Sequence, residues 1–157
     1  MINQSISEFT VGQCLANLKY YAMRITTVFR EYSELDQKSE YAITLMESMR
    51  GNINDYTQVF KDLLVVICND YVITELNGTI RAFVSKFNPK EPELSFVNFL
   101  VERNSLVHEY YNREFLDERV RIVLSNYLDG ALGVVQILGD YVKEKGISDL
   151  VIKKGRK

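Results

Sequence analysis

The sequence has few of the residues that interrupt helices or build metal and disulfide sites. Its 157 residues include two prolines, two cysteines, one histidine and no tryptophan. Both prolines lie within residues 88–92, so ring geometry forces a break only there. Cys14 and Cys68 each lie in an apolar helical pattern and lack the spacing of metal ligands, which argues against a zinc site. We expect both to be reduced, buried thiols.

Charge of one sign and long apolar runs are also missing. The net charge is −2, with 25% charged and 46% apolar residues, as in an ordinary globular domain. This balance argues against a protein that covers nucleic acid by charge alone. No apolar run is long enough to span a bilayer, and residues 1–9 show no secretory signal. We therefore expect a cytoplasmic protein with no membrane partner.

The chain length predicts one domain, which we assign to residues 1–146. Residues 147–157 are expected to form a solvated basic tail. The positive charges of this tail are Lys153, Lys154, Arg156 and Lys157. An auxiliary phosphate contact by these side chains is the alternative.

Helical periodicity is strong from the start of the chain. One apolar stripe with alternating spacings of four and three comprises Val11, Leu15, Leu18, Ala22, Ile25, Phe29 and Tyr32. Ser5, followed three residues later by Glu8, predicts a capping box at the start of this helix.

The middle of the chain predicts shorter helices. A second helix begins near Gln37 and either ends or kinks at Gly51-Asn52. A third is capped by Asp55 and Gln58 and is broken at Asn77-Gly78. A short helix follows, with an apolar set of Ile80, Phe83, Val84 and Phe87.

After the prolines, a helix is predicted to begin at Ser95, and the last long helix is predicted from about Asp117 to Lys145, ending near Gly146. Two adjacent apolar sets give this last helix an unusually wide apolar surface. Such a surface indicates either a deep position in the core or a contact with a second protomer. These helices and their short connections predict an all-α fold, an up-and-down antiparallel bundle of four to five helices.

Residues 103–110, Arg-Asn-Ser-Leu-Val-His-Glu-Tyr, contain the only histidine of the chain. A lone histidine beside an arginine is usually a surface pair with no function. Here the combination with Asn104 and Tyr110 at fixed offsets makes coincidence a weaker explanation. Histidine transfers protons near neutral pH, and arginine binds phosphate through two parallel hydrogen bonds. The segment is therefore suited to chemistry at a phosphodiester.

The segment resembles the signature of the HEPN superfamily, an arginine and a polar residue followed by histidine. The longer pattern Arg-Asn-x-x-Val-His-x-Tyr is similar to that of HepT-like toxins, with Arg103, Asn104, His108 and Tyr110 at the matching positions. The resemblance implies a homodimeric, metal-independent endoribonuclease that needs no cofactor and serves as the toxin of a toxin–antitoxin module. It also implies a nucleotidyltransferase antitoxin that adenylylates Tyr110.

The residue types are compatible with these roles. His108 is suited to general acid or base catalysis, and Arg103 to stabilising the charge that develops on the phosphate. Asn104, one turn before the histidine, is suited to orienting it or binding substrate. Tyr111 is a candidate for stacking on an RNA base.

Helix geometry limits how these groups meet. Arg103 and His108 differ by about 140° around a regular helix axis. A bend in the motif, or a composite site at a homodimer interface, would bring them together. Two further interpretations stay open: a catalytically weak HEPN-fold dimer that binds a nucleotide or a partner, and an unrelated bundle in which the motif is a coincidence.

Overall fold

The computed structural model describes residues 7–68, 75–106 and 113–154, apart from the side chains of residues 7, 8, 104–106, 113, 153 and 154. Over these ranges the chain forms six helices and one pair of short strands. In chain order the elements are β1 (Ser7–Thr10), α1 (Val11–Ser33), α2 (Glu40–Ile67), α3 (Leu76–Phe87), α4 (Glu91–Leu106), α5 (Arg113–Tyr127), α6 (Gly130–Lys145) and β2 (Val151–Lys154). The prediction of an all-α helical bundle is confirmed.

Helix α1 follows the predicted apolar stripe but has a different cap. The Thr10 hydroxyl accepts a hydrogen bond from the Gln13 N–H at 3.1 Å, and the Thr10 N–H donates to Gln13 Oε1 at 2.9 Å. The predicted box of Ser5 and Glu8 is wrong, because Glu8 belongs to strand β1; Ser5 lies outside the described residues. Pairing of β1 with β2 moves the start of the helix to the residue after Thr10.

Helix α2 continues through Gly51 and Asn52, where the sequence suggested an end or a kink. It has 28 residues, and Asp55 and Gln58 lie in its interior rather than at a cap. The Asn52 side chain donates to the Ser48 carbonyl oxygen at 3.0 Å, one turn earlier, so its amide is bound within α2 rather than at a helix end. Apolar side chains on both sides of Gly51 bury the same stripe: Met46, Met49, Ile53, Tyr56 and Phe60. Tertiary packing therefore outweighs the low helix propensity of the Gly-Asn pair.

Helices α3 and α4 begin earlier than predicted. Asn77 and Gly78 lie in the first turn of α3 rather than in a break. Helix α4 begins at Glu91 and not at Ser95, with Pro92 in its first turn, where proline costs no intrahelical hydrogen bond. The Lys90 N–H donates to the Glu93 carboxylate at 3.1 Å at the start of this helix.

The predicted last helix divides in two. Helices α5 and α6 meet at residues 128–129 with a bend of 62°. A β-carbon at Gly130 would lie 2.3 Å from the Pro92 carbonyl oxygen, so the absence of a side chain allows the bend to pack against the start of α4. Because α5 packs on α4 while α6 packs on α1 and α4, the core takes up most of the wide apolar surface. A contact between this surface and a second protomer, the alternative from the sequence, stays a prediction.

Strands β1 and β2 form an antiparallel pair in which Phe9 faces Ile152 and Thr10 faces Val151. The Val11 and Gly12 N–H groups donate to the carbonyl oxygens of Leu150 and Ser148, at 2.7 and 2.9 Å. Ile152 is only 4% exposed. This part of the segment predicted to be a solvated tail is therefore packed on the bundle; Arg156 and Lys157 lie outside the described residues.

Helix α4 is anchored at its beginning by an aromatic cluster. Phe96 contacts Tyr56 edge-on with ring centroids 5.2 Å apart, and Phe60 contacts Phe83 in the same way at 5.3 Å. The Tyr56 hydroxyl donates to the Ala131 carbonyl oxygen at 2.8 Å, which joins α2 to α6. Within the described ranges, no single helix is both long and apolar enough to cross a bilayer; only α5 and α6 taken together reach that length and apolarity.

Candidate functional site

Arg103 lies in the last turn of α4 and is turned towards the bundle. It stands three and seven residues after Leu100 and Phe96, so it continues their buried stripe. Its side chain is 6% exposed, and its Nη2 donates to the Arg50 carbonyl oxygen of α2 at 3.1 Å. The arginine of the motif is therefore fixed between two helices.

The guanidinium of Arg103 is incompletely satisfied. Its Nε is buried and has no hydrogen-bond partner among the described residues. Burial, and then the positive charge of Arg50, lower the pKa of Arg103 from its usual value. A buried donor without a partner costs about 1–3 kcal/mol. The site would thus gain from an added acceptor or negative charge near this nitrogen.

Two ion pairs join α5 to its neighbours around Arg103. Arg50 Nη1 of α2 is paired with Asp117 Oδ1 of α5. Arg119 of α5 binds Glu102 of α4 through both carboxylate oxygens, from Nε at 2.7 Å and from Nη2 at 3.0 Å. This bidentate contact, together with the Coulombic attraction of Glu102, raises the pKa of Arg119. The two pairs connect α5 to α2 and to α4 near the end of α4.

A small pocket opens beside Arg50, between the start of α2 and α5. It encloses about 100 Å³. Its charged lining consists of Arg50 and Arg121 with Glu47 and Asp117, and the charges of these four groups balance. Among the described residues, Arg121 forms no salt bridge. This pocket, which is lined by the residue whose carbonyl oxygen binds Arg103, is thus polar and electrically balanced rather than strongly basic.

A larger groove lies between α1 and α6 and encloses about 430 Å³. Small residues, Gly12, Ala16 and Gly139, keep it open. Its charged lining is limited to Lys19 and Asp140. It has no contact with the motif arginine among the described residues and contains no cluster suited to acid–base chemistry.

The remaining motif residues are described only in part. The backbone of Asn104 belongs to α4, and its side chain is not among those that the structure describes. His108, Tyr110 and Tyr111 lie outside the described residues. Convergence of Arg103 with His108, within one chain or across two, stays a prediction.

Sequence reasoning did not identify the partners of Arg103. Arg50 and Arg103 are 53 residues apart, and the accepting atom is a backbone oxygen that any residue type supplies. Arg50 and Asp117 are 67 residues apart, so no local spacing marks them as a pair. The burial of Arg103, however, had a signal: the spacing Phe96, Leu100, Arg103 places it on the apolar stripe.

The described residues include no group of three or more histidine, cysteine, aspartate or glutamate side chains close enough to hold a metal ion. Cys14 is buried and Cys68 half-buried, and neither forms a disulfide within the described ranges. Comparison of the chain with models of protein families, with curated proteins and with solved structures found no match.

Proposed function

We propose that this protein is a metal-independent endoribonuclease of the HEPN type, and the toxin of a cytoplasmic toxin–antitoxin module. The observation that supports it best is the position of Arg103. A guanidinium whose buried Nε has no partner among the described residues occupies the last turn of α4, five residues before the only histidine of the chain. A fixed positive charge beside a histidine suits a phosphate that gains charge during reaction.

In the proposed reaction, His108 removes the proton of an RNA 2′-hydroxyl group. The 2′-oxygen attacks phosphorus, the P–O5′ bond breaks, and the departing 5′-oxygen takes a proton from the second histidine of a homodimer. The products are a 2′,3′-cyclic phosphate and a 5′-hydroxyl group. Arg103 stabilises the negative charge that develops on the pentacovalent phosphorane. Asn104 orients His108 or binds the substrate, and Tyr111 stacks on an RNA base.

A homodimer supplies the second histidine that a single chain lacks. Each chain has a single histidine, whereas the reaction uses one group as base and another as acid. The dimer proposal makes a direct prediction for light scattering, namely about twice the chain mass of 18.2 kDa. A strict monomer at micromolar concentration that still cleaves RNA would contradict the composite site.

The function is tested by RNA cleavage in the presence of EDTA. His108→Ala is expected to reduce the cleavage rate by about 10²–10⁴-fold, which is the usual contribution of a general acid or base. Arg24→Ala serves as the matched control, because Arg24 is exposed on α1. Equal cleavage by the wild type and His108→Ala, or none by either, would overturn the proposal.

One observation favours a second candidate function, a catalytically weak dimer of HEPN fold that binds a nucleotide or a partner. Arg103 is 6% exposed and already donates to the Arg50 carbonyl oxygen, so it is placed to support a binding surface at the end of α4 rather than to contact a scissile phosphate. This candidate predicts nucleotide or partner binding that is lost in Arg103→Ala, without RNA cleavage by the wild type. Cleavage that depends on His108 would reject it.

The antitoxin forms a separate part of the proposal. A nucleotidyltransferase partner transfers AMP from ATP to the Tyr110 hydroxyl, with release of pyrophosphate. If a neighbouring gene encodes such a nucleotidyltransferase, its co-expression is expected to add one AMP to the wild type and none to Tyr110→Phe, by intact mass. Unmodified wild-type protein after co-expression with that enzyme would contradict this part and leave the ribonuclease proposal standing.

A further inference from the structure

Two lysines surround one tyrosine where the ends of α3 and α6 meet. Lys86 Nζ lies 5.0 Å from the centroid of the Tyr141 ring, and Lys145 Nζ lies 5.8 Å from it. Phe87 packs edge-on against the same ring, with centroids 5.2 Å apart and an interplanar angle of 88°. We call Lys86, Tyr141 and Lys145 the α3–α6 patch.

The lysines of this patch are not neutralised by carboxylates. Both are exposed, and neither forms a salt bridge among the described residues. Each ammonium group makes a cation–π contact with the ring, and these contacts offset part of the repulsion between the two groups. The charge is therefore held in place by the tyrosine and remains available to an external anion.

The surrounding charges preserve a local excess of positive charge. Lys90 and Lys143 are exposed nearby in the chain, and Glu144 is the exposed carboxylate between the lysines of α6. Two other acidic side chains accept hydrogen bonds from neutral groups and keep their charge: Asp140 accepts from Gln136 at 2.8 Å, and Glu91 accepts from the Tyr127 hydroxyl at 3.2 Å. The four lysines named here thus exceed the three carboxylates by one charge, whereas the chain as a whole has a net charge of −2.

We propose that the α3–α6 patch binds single-stranded RNA: Lys86 and Lys145 turn from the Tyr141 ring to bind phosphates, and an unpaired base stacks on the ring in their place. Aromatic rings flanked by cations are the usual construction of such surfaces, since every base offers a face for stacking. A duplex fits the patch less well, because its bases are already stacked on one another.

The identification of RNA as the nucleic acid rests on the proposed function. The patch and the motif lie towards opposite ends of α4: Phe87 precedes the start of this helix, and Arg103 lies in its last turn. Glu91 and Arg103 are separated by about 18 Å along the helix axis, at 1.5 Å per residue. A strand bound at the patch would therefore run along α4 and present a more distant phosphodiester to the motif.

The test is fluorescence anisotropy with a labelled single-stranded RNA of about 12 nucleotides, a length within the range of such sites. Both the reference protein and the variants carry His108→Ala, so that the probe stays intact. Lys86→Ala/Lys145→Ala is expected to weaken binding at least about tenfold and to lower the slope of log K against log salt by about 1.4, for two lost phosphate contacts. Tyr141→Leu is expected to weaken binding about fivefold or more through lost stacking.

Lys19→Ala/Lys38→Ala removes the same charge from exposed positions elsewhere and is expected to bind as the reference does. Lys86→Arg/Lys145→Arg keeps the charge and is expected to bind within about twofold, which separates lost contacts from lost folding. Unchanged binding by the patch double variant, equal loss in the control, or equal affinity for a duplex of the same sequence would overturn the inference. Binding that depends on the patch in a protein that cleaves no RNA would reject the ribonuclease and keep the patch.

Discussion

At its beginning, helix α4 is surrounded by aromatic rings and close backbone contacts, whereas at its end it is surrounded by charges. Phe96 is fully buried against Tyr56, and Gly130 leaves no room for a side chain beside Pro92. Seven residues after Phe96, Arg103 occupies the same stripe as a buried cation. One helix thus provides a well-packed anchor and a polar end whose buried donor, Arg103 Nε, has no partner within the described part of the chain.

This difference indicates how the two ends contribute. Burial of apolar surface stabilises the first, while the second contains groups that are costly to bury and are held by paired charges. Natural proteins tolerate such local cost mainly where a site requires it. We therefore expect substitutions at the beginning of α4 to lower the free energy of unfolding and substitutions at its end to lower RNA cleavage.

The largest effect is expected for Phe96→Ala. Removing a buried aromatic ring leaves a cavity beside Tyr56 and should lower the free energy of unfolding by about 3–5 kcal/mol. Urea denaturation measures it, with Phe115→Ala as the control, because Phe115 is 50% exposed on α5. Equal losses in the two variants would show that the aromatic cluster is not the anchor of α4.

Arg103→Met is expected to affect activity more than stability. Methionine fills much of the same volume without a charge, and the unsatisfied Nε is removed together with the hydrogen bond to Arg50. We expect a change in unfolding free energy of less than about 1 kcal/mol and a fall in RNA cleavage of about 10²–10³-fold. Normal cleavage by this variant would show that Arg103 is not part of the active site. Unfolding of the variant would show that Arg103 has a structural role instead.

Alanine at two glycines should act in opposite directions. Gly130→Ala places a methyl group against the Pro92 carbonyl oxygen and the Phe96 side chain, and should lower the free energy of unfolding by about 1–3 kcal/mol. Gly51→Ala on α2 meets no atom within 4 Å and should raise it by about 0.4–1 kcal/mol. Thermal unfolding distinguishes them, and a shift of the same sign in both would contradict the described packing.

The smallest effect is expected for the Glu102–Arg119 pair. Its side chains are 35% and 32% exposed, so solvent screens their attraction. A double-mutant cycle with Glu102→Gln and Arg119→Gln should give a coupling of about 0.2–1 kcal/mol that decreases with added salt. A coupling that is large and independent of salt would mean that the end of α4 is anchored as firmly as its beginning.

The sequence predicted those helices whose apolar residues repeat with a regular helical spacing. The stripe from Val11 to Tyr32 fixed α1 and its buried face, because helical spacing acts locally. The continuous α2 and the division between α5 and α6 were not predicted, since they depend on contacts such as Gly130 with Pro92. Strand pairing of residues 7–10 with 151–154 joins segments too short to show a pattern of their own.

The candidate site was predictable only in its local part. The motif singled out Arg103, but its position on the buried face of α4 was not predicted, although the spacing from Phe96 and Leu100 carried that signal. Its surroundings could not be predicted, because the acceptor is a backbone oxygen of Arg50 and the ion pairs join residues of three different helices. The roles of His108 and Tyr110 stay predictions.

The strand pair β1–β2 has a consequence for the order in which the protein folds during synthesis. The first N–H groups of α1 find their acceptors at Ser148 and Leu150, which the ribosome adds after all six described helices. Translation proceeds at about 5–20 residues per second, so the first turn of α1 is without these acceptors for about 7–27 s after its own synthesis. The start of α1 is therefore among the last parts of the described fold to be completed, although it is synthesised early.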